Sequence, residues 1–123
     1  MSREEKVAEF RKAGGKKNFD EAFEDVDMIL DCVGEEIGEF YDAADNYKRD
    51  PTEENRAQLC KEWADLQYVI SQAAVYFDIP ASAAFNRVHN SNMTKVVDGK
   101  VIYREDGKIL KPETYVAPDM GGL

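Results

Sequence analysis

Five carboxylates stand in two short motifs whose composition could serve metal chemistry. Glu35, Glu36 and Glu39 lie in GEEIGEF, and Glu62 and Asp65 lie in EWAD. Carboxylates brought close together cannot all stay ionised unless positive charge compensates them. The acidic stretch around the first motif has no lysine or arginine, and we expect no basic residue of these helices to offset the charge. Oxygen ligands suit hard divalent ions, so the pattern predicts a Mg²⁺ or Mn²⁺ site.

Two other interpretations of these carboxylates stay open. An acidic helix face that is simply solvated can carry the same residues without any ligand. A di-iron carboxylate bundle also uses acidic helices, but it requires a histidine three residues after a glutamate. Those positions hold Glu39 and Asp65, and the only histidine is His89. The sequence therefore disfavours di-iron chemistry, and the same lack of histidine disfavours Ser-His-Asp and Cys-His catalysis.

Helices must position both motifs, and the spacing of apolar residues predicts four of them. They cover about 2–13, 20–48, 51–77 and 80–93, with Asp50 as the N-cap of the third. In the second and third helices the apolar residues step alternately by four and three, which favours packing of one face against other helices. These two apolar stripes consist of Val26, Leu30, Val33, Ile37, Phe40, Ala44 and Tyr47, and of Leu59, Trp63, Leu66, Ile70, Ala73 and Phe77.

The acidic residues form two pairs at the edges of those stripes. Glu36 and Glu39 are three residues apart on the second helix, and Glu62 and Asp65 have the same spacing on the third. At a rise of about 1.5 Å per residue, each pair lies about 20 Å from the turn between the helices. Two antiparallel helices would therefore bring the four carboxylates to the same level.

The pattern changes after residue 93. VDGKVIYREDGKILK contains two DGK turns followed by β-favouring residues, which predicts a small hairpin or meander, and the Pro- and Gly-rich end predicts an extended tail. We therefore expect an all-α helical bundle of about four helices in a single domain, 1–123. Its helical core would cover about 2–93, and the hairpin and tail about 94–123.

The composition is typical of a globular protein. The chain has 123 residues, is 43% hydrophobic and 33% charged, and carries a net charge of −9. The acidic excess lies in residues 1–80, so we expect no nucleic-acid partner, because negative charge repels phosphate backbones. Apolar runs are too short to cross a bilayer and no signal-peptide core is visible, so we expect no membrane association and a cytoplasmic location. The two cysteines predict buried free thiols rather than a disulfide framework.

Several motifs together resemble one known family. EEIGE (35–39) and EWAD (62–65) resemble the EExxE and ExxD signature of the all-α nucleoside triphosphate pyrophosphohydrolases, the MazG-like and phosphoribosyl-ATP pyrophosphohydrolase-like group. KVAEF (6–10), VHNSNMTK (88–95) and DGKVIYREDGKILKPETYVAPDM (98–120) look like the short phage-type and bacterial members. The resemblance thus covers nearly the whole chain.

The resemblance implies a helical bundle that assembles as a homodimer or homotetramer, with metal sites inside the bundle. It implies hydrolysis of a nucleoside triphosphate to the monophosphate and pyrophosphate, in a bacterial cell or a phage-infected host. We expect Mg²⁺ or Mn²⁺ as the cofactor, with two or more ions per site. The phage-like segments favour a deoxynucleotide, and we expect a purine such as dGTP.

Within that chemistry, individual residues have predicted roles. Glu36, Glu39, Glu62 and Asp65 are the predicted metal ligands, because they pair across the helical hairpin. Glu35 is the candidate base that orients or deprotonates the attacking water, and Glu36 is the alternative.

The predicted phosphate contacts are Asn92, Lys95 and Arg104, which can donate hydrogen bonds to phosphate oxygens. Lys95 could instead serve only the helix dipole, and Arg104 could be an ordinary exposed arginine. Two other functions stay open for the chain: hydrolysis of a phosphoribosylated nucleotide, and a non-enzymatic acidic helical interaction module.

Overall fold

The structure is a computed structural model that describes residues 1–123. It contains four helices: α1 (Arg3–Ala13), α2 (Val26–Arg49), α3 (Glu53–Tyr76) and α4 (Ala81–Met93). The predicted all-α helical bundle is confirmed. No helix is long and apolar enough to span a membrane.

α2 begins at Val26, six residues later than predicted. The Asp20 side chain accepts hydrogen bonds from the backbone N–H groups of Ala22 and Glu24, at 3.1 and 3.0 Å. Such a local side-chain turn competes with helix formation. Phe23 then takes a positive φ of 53°, which a right-handed helix cannot contain. The acidic residues of this segment therefore build a turn rather than a first helical turn.

The turn between α2 and α3 also differs from the prediction in its capping residue. Thr52, not Asp50, is the N-cap of α3, and its hydroxyl accepts from the N–H of Asn55 at 3.1 Å. Asp50 instead ends α2, with its N–H donating to the Asn46 carbonyl at 2.9 Å. The two helices have 24 residues each and pack against each other.

Backbone contacts divide the chain into two compact units, Met1–Ile79 and Pro80–Leu123. The single-domain expectation stays a prediction. In the first unit, α3 packs against both α2 and α1. The segment before α2 is held there by Arg11, which donates to the Lys17 carbonyl at 2.6 Å, and by Tyr76, whose hydroxyl lies 3.0 Å from the Asp25 N–H.

The apolar stripe of α2 is only partly buried. None of its residues is fully buried, and Leu30 and Ile37 keep 53% of their surface exposed. The fully buried residues of this helix are Ile29 and Ala43, each one position before a residue of the predicted stripe. On α3, Trp63 and Ile70 are likewise about half exposed. The predicted stripes therefore exist as surfaces, but one side of each lies open in the single chain. Both cysteines are free as predicted, although the predicted burial is wrong for the exposed Cys60.

The predicted C-terminal hairpin is wrong, because the second unit contains no strand. Two isolated bridges occur instead, Val97 with Lys100 and Tyr103 with Ile109. Each DGK turn forms with its glycine at positive φ, but pairing ends after one bridge. Ile102 and Tyr103 stay exposed, and a two-stranded ribbon without a buried face is only marginally stable.

The predicted tail is irregular in structure, and hydrogen bonds fasten it along α4. The Ser91 hydroxyl donates to the Val116 carbonyl at 2.6 Å, and the Val116 N–H donates to the Thr94 hydroxyl at 2.9 Å. One turn earlier in α4, Arg87 donates to the carbonyls of Asp119 and Gly121, at 3.0 and 2.7 Å. The tail therefore runs antiparallel to α4, and polar side chains of the helix hold the backbone of the tail.

Candidate metal centre

Four carboxylates from α2 and α3 meet on the facing sides of the helical hairpin. Glu36, Glu39, Glu62 and Asp65 each offer one oxygen, and these oxygens all lie within 4.8 Å of one another. The spacing of three residues places each pair on one face of its helix, one turn apart. We call these four residues the carboxylate cluster.

The cluster contains two buried oxygens without a hydrogen-bond donor. The Glu62 side chain is buried, and both its Oε2 atom and the Oε2 atom of Glu36 have no partner. Leaving a buried polar atom unpaired costs roughly 1–3 kcal/mol, and more when the group is charged. A divalent cation would satisfy both oxygens, and an all-carboxylate donor set is the kind that Mg²⁺ or Mn²⁺ prefers. The residues present therefore fit a hard metal ion.

The expectation that no basic residue of these helices offsets the cluster is wrong. Lys61 Nζ lies 3.2 Å from Glu62 Oε1 and 2.8 Å from Asp65 Oδ2. Hydrogen bonding to Asp65 and then to Glu62 raises the pKa of Lys61. Gln58 completes this edge by donating to Glu62 Oε1 at 2.6 Å. The sequence signal was present, because Lys61 stands four residues before Asp65, where helical side chains meet.

The crowding of negative charge changes the pKa of Glu39. The close approach of the Glu62 carboxyl, together with the charges of Glu36 and Glu62, raises the pKa of Glu39. Facing carboxylates disfavour one another's charged form unless a cation compensates them. The geometry thus concentrates affinity for positive charge at one point of the hairpin.

The sequence profile of the phosphoribosyl-ATP pyrophosphohydrolase family matches residues 4–92, well over half of the chain. The chain belongs to this family. It lies within the MazG-like all-α pyrophosphohydrolase superfamily. No curated protein matches the sequence.

Family membership has direct consequences for chemistry. The family consists of pyrophosphohydrolases, so the chain is an enzyme that acts on phosphoric anhydrides. The family is usually metal-dependent, which agrees with the carboxylate cluster. The matched range contains all four cluster residues, and it ends before Lys95 and Arg104.

The other predicted site residues of this family member fall into different surroundings. Glu35 is exposed and its carboxylate is not part of the carboxylate cluster. In the second unit, the structure brings Asn92 and Lys95 together, with Lys95 Nζ 3.0 Å from Asn92 Oδ1. Lys95 Nζ also lies 5.5 Å from the centre of the Tyr115 ring. Arg104 pairs with Asp106 at 2.6 Å, so its guanidinium already has a carboxylate partner.

Proposed function

We propose that this pyrophosphohydrolase cleaves a deoxynucleoside or ribonucleoside triphosphate to the monophosphate and pyrophosphate, with Mg²⁺ or Mn²⁺. The observation that carries the proposal is the carboxylate cluster with its two unpartnered buried oxygens, in a chain of a pyrophosphohydrolase family. The triphosphate has a strongly charged leaving group, so catalysis depends mainly on positioning and charge neutralisation.

In the proposed mechanism, Glu36, Glu39, Glu62 and Asp65 hold two or more ions. Bound divalent ions would neutralise the phosphate oxygens and favour attack at phosphorus. All four ligands would stand on two helices that pack against each other, α2 and α3. The precise placement of charge that phosphoryl transfer needs would thus come from helix geometry rather than from a loop.

Glu35 is the proposed base that takes the proton from the attacking water, with Glu36 as the alternative. Support for Glu35 is its exposed carboxylate on the turn that also holds Glu36. A carboxylate that is not a ligand keeps its lone pairs free for a proton. Glu36 can serve as the base only if the ions do not coordinate both of its oxygens. Its Oε2 atom, which has no hydrogen-bond partner, is the candidate proton acceptor.

Asn92, Lys95 and Arg104 are the proposed phosphate contacts. Support for the first two is their contact at 3.0 Å, which sets an ammonium and an amide side by side. An ammonium contributes a point charge to phosphate, and the amide can donate to an oxygen. Arg104 would have to exchange Asp106 for phosphate, so we expect it to contribute less.

We propose a purine deoxynucleotide such as dGTP as the first substrate to test. Support for a deoxynucleotide comes from residues 88–95 and 98–120, which resemble phage-type members. A phosphoribosyl-nucleotide substrate is the second candidate, and the name of the matching family favours it. Both substrates contain the same kind of bond to be cleaved, a phosphoric anhydride.

Product analysis tests the proposed reaction. The protein is incubated with Mn²⁺, a panel of triphosphates and phosphoribosyl-ATP in ¹⁸O-labelled water, and products are identified by ³¹P NMR and mass spectrometry. We expect pyrophosphate from at least one triphosphate, with the label in either pyrophosphate or the monophosphate revealing which phosphorus is attacked. Orthophosphate as the only product from every substrate would overturn the proposal. Pyrophosphate from phosphoribosyl-ATP alone would select the second candidate.

We also propose that the chain works as a homodimer or homotetramer. Support comes from the open face of α2, where Leu30, Ile37 and Tyr41 are 53%, 53% and 73% exposed. Gly34 and Gly38 lie along this helix, and a methyl group added at either would meet nothing within 4 Å. A glycine inside a helix costs roughly 1 kcal/mol relative to alanine. The chain's own packing gives no reason for this cost, whereas close approach of a second helix does.

Sedimentation tests the assembly. We expect the wild-type protein to sediment as a dimer or tetramer at micromolar concentration, and Ile37→Lys to sediment as a monomer. The control is Asn46→Lys, which adds the same charge at an exposed polar position of α2. A monomeric wild-type protein would rule out the proposed assembly.

A further inference from the structure

Lys61 is the only basic side chain that pairs with the carboxylate cluster. Its Nζ atom contacts Glu62 Oε1 at 3.2 Å and Asp65 Oδ2 at 2.8 Å. The Lys61 side chain itself is 61% exposed, whereas that of Glu62 is 7% exposed. A flexible stem therefore reaches from solvent to the edge of the cluster and holds one positive charge against two of its four carboxylates.

These contacts involve the same carboxylates that would bind a divalent ion. Glu62 uses Oε1 for Gln58 and Lys61, and its buried Oε2 has no partner. An ion at the cluster would draw on Asp65 and Glu62 and would repel an ammonium group a few ångströms away. Because Lys61 is exposed and has four rotatable carbon bonds, it can leave the carboxylates without any change in the helix.

We propose that Lys61 is an exchangeable counter-cation of the carboxylate cluster: its ammonium neutralises Glu62 and Asp65 until a divalent ion binds, and the ion displaces it. This inference rests on the proposed metal site and adds a residue that tunes its affinity. Lys61 stabilises the protein without metal and weakens the binding of metal.

A different role for Lys61 would give the opposite effect. A lysine that only orients Glu62 and Asp65 as ligands would strengthen metal binding, as outer-shell partners do. A lysine whose stem only packs against α3 would change stability equally with and without metal. Measurements of metal affinity and of thermal stability therefore separate the three roles without any assay of activity.

The test uses Mn²⁺ alone and the full chain. Calorimetric titration should show Lys61→Met binding Mn²⁺ more tightly than the wild-type protein, by on the order of tenfold, since a repelling charge has been removed. Thermal unfolding should show Lys61→Met with a lower Tm than wild type without Mn²⁺, and with no difference at saturating Mn²⁺. Lys61→Arg, which keeps the charge, should resemble wild type in both measurements. The matched control is Lys48→Met, at an exposed position of α2 that contacts no cluster residue.

Equal or weaker Mn²⁺ binding by Lys61→Met, beside measurable binding by wild type, would overturn the role of Lys61 and leave the metal site standing. A Tm difference that persists at saturating Mn²⁺ would also overturn it, in favour of packing. No Mn²⁺ binding by wild type would overturn both the metal site and this inference. Lys61→Gln repeats the titration with a shorter neutral side chain should Lys61→Met fail to fold.

Discussion

The carboxylate cluster and the tail segment along α4 differ in whether their polar atoms have hydrogen-bond partners. At the end of α4, the Thr94 hydroxyl donates to the Ser91 carbonyl and accepts from the N–H of Val116 in the tail, and the Ser91 hydroxyl donates to the Val116 carbonyl at 2.6 Å. In the cluster, two buried carboxylate oxygens have no donor at all. The polar groups between α4 and the tail are thus hydrogen-bonded to one another. In the cluster, two carboxylate oxygens remain able to accept from, or coordinate, a further group.

This difference indicates which region is built for a ligand. A neutral hydrogen bond contributes roughly 0.5–1.5 kcal/mol, whereas an unpaired buried carboxylate oxygen is unfavourable by more than that. Such an unfavourable arrangement is expected only where another interaction, such as a bound cation, offsets it. Lys61 offsets the charge of only two of the four carboxylates, Glu62 and Asp65. Changes in the cluster should therefore act on chemistry, and changes in the tail on stability.

The largest expected effect comes from neutralising a cluster carboxylate. We expect Glu62→Gln and Asp65→Asn each to reduce pyrophosphate release by more than about a hundredfold. Each would remove a proposed metal ligand, and changes to outer-shell partners of a metal already cost roughly 10–100-fold. Circular dichroism should show the helices intact. Asp42→Asn, an exposed change on α2, is the control and should keep wild-type rates. Near-normal turnover in both variants would remove the cluster from the mechanism.

A smaller effect is expected from the proposed phosphate contacts, Lys95 and Arg104. We expect Lys95→Ala to reduce kcat/KM roughly tenfold, since a hydrogen bond to a charged group contributes about 1.5–3 kcal/mol. Arg104→Ala should reduce it less than about threefold, because Asp106 already holds this guanidinium. Steady-state kinetics at saturating Mn²⁺ measures both. A larger loss for Arg104→Ala would show that the pairing with Asp106 does not persist with substrate.

The smallest effect is expected where the end of α4 holds the tail. Thr94→Val keeps the shape of the side chain but removes the donor to Ser91 and the acceptor for Val116, which should cost about 1 kcal/mol of unfolding free energy. Hydrogen exchange at the Val116 amide should accelerate, while pyrophosphate release per folded molecule stays unchanged. Ser82→Ala, at an exposed position of α4, is the control. Unaltered exchange at Val116 would show that the tail is held by other contacts.

The sequence predicted the helices and the meeting of the four carboxylates for the same reason. Helical periodicity is a local property, and equal distances of both acidic pairs from the turn fix their level. Other features depend on competition between alternative hydrogen bonds at the helix ends, which the spacing of apolar residues does not reveal. Asp20 closes a side-chain turn where the acidic run favoured helix, and Thr52 outcompetes Asp50 as N-cap.

Two further errors share a cause in tertiary context. The DGK segments carry hairpin signals, but no neighbouring surface buries Ile102 or Tyr103, so pairing ends after one bridge. Ile37 fits a core stripe by spacing, yet the single chain does not cover it. The missed pairing of Lys61 is local instead, because the lysine stands four residues before Asp65 on the same helix and its approach to the cluster follows from that spacing.

Binding of Mn²⁺ tests the central claim most directly. Electron paramagnetic resonance reports free Mn²⁺, so titration of the ion into wild-type protein and into the double variant Glu62→Gln/Asp65→Asn measures binding without any substrate. We predict saturable binding of one or more ions by the wild-type protein and loss of that binding in the double variant. Equal binding by both proteins, or none by wild type, would contradict the assignment of Glu36, Glu39, Glu62 and Asp65 as the metal centre.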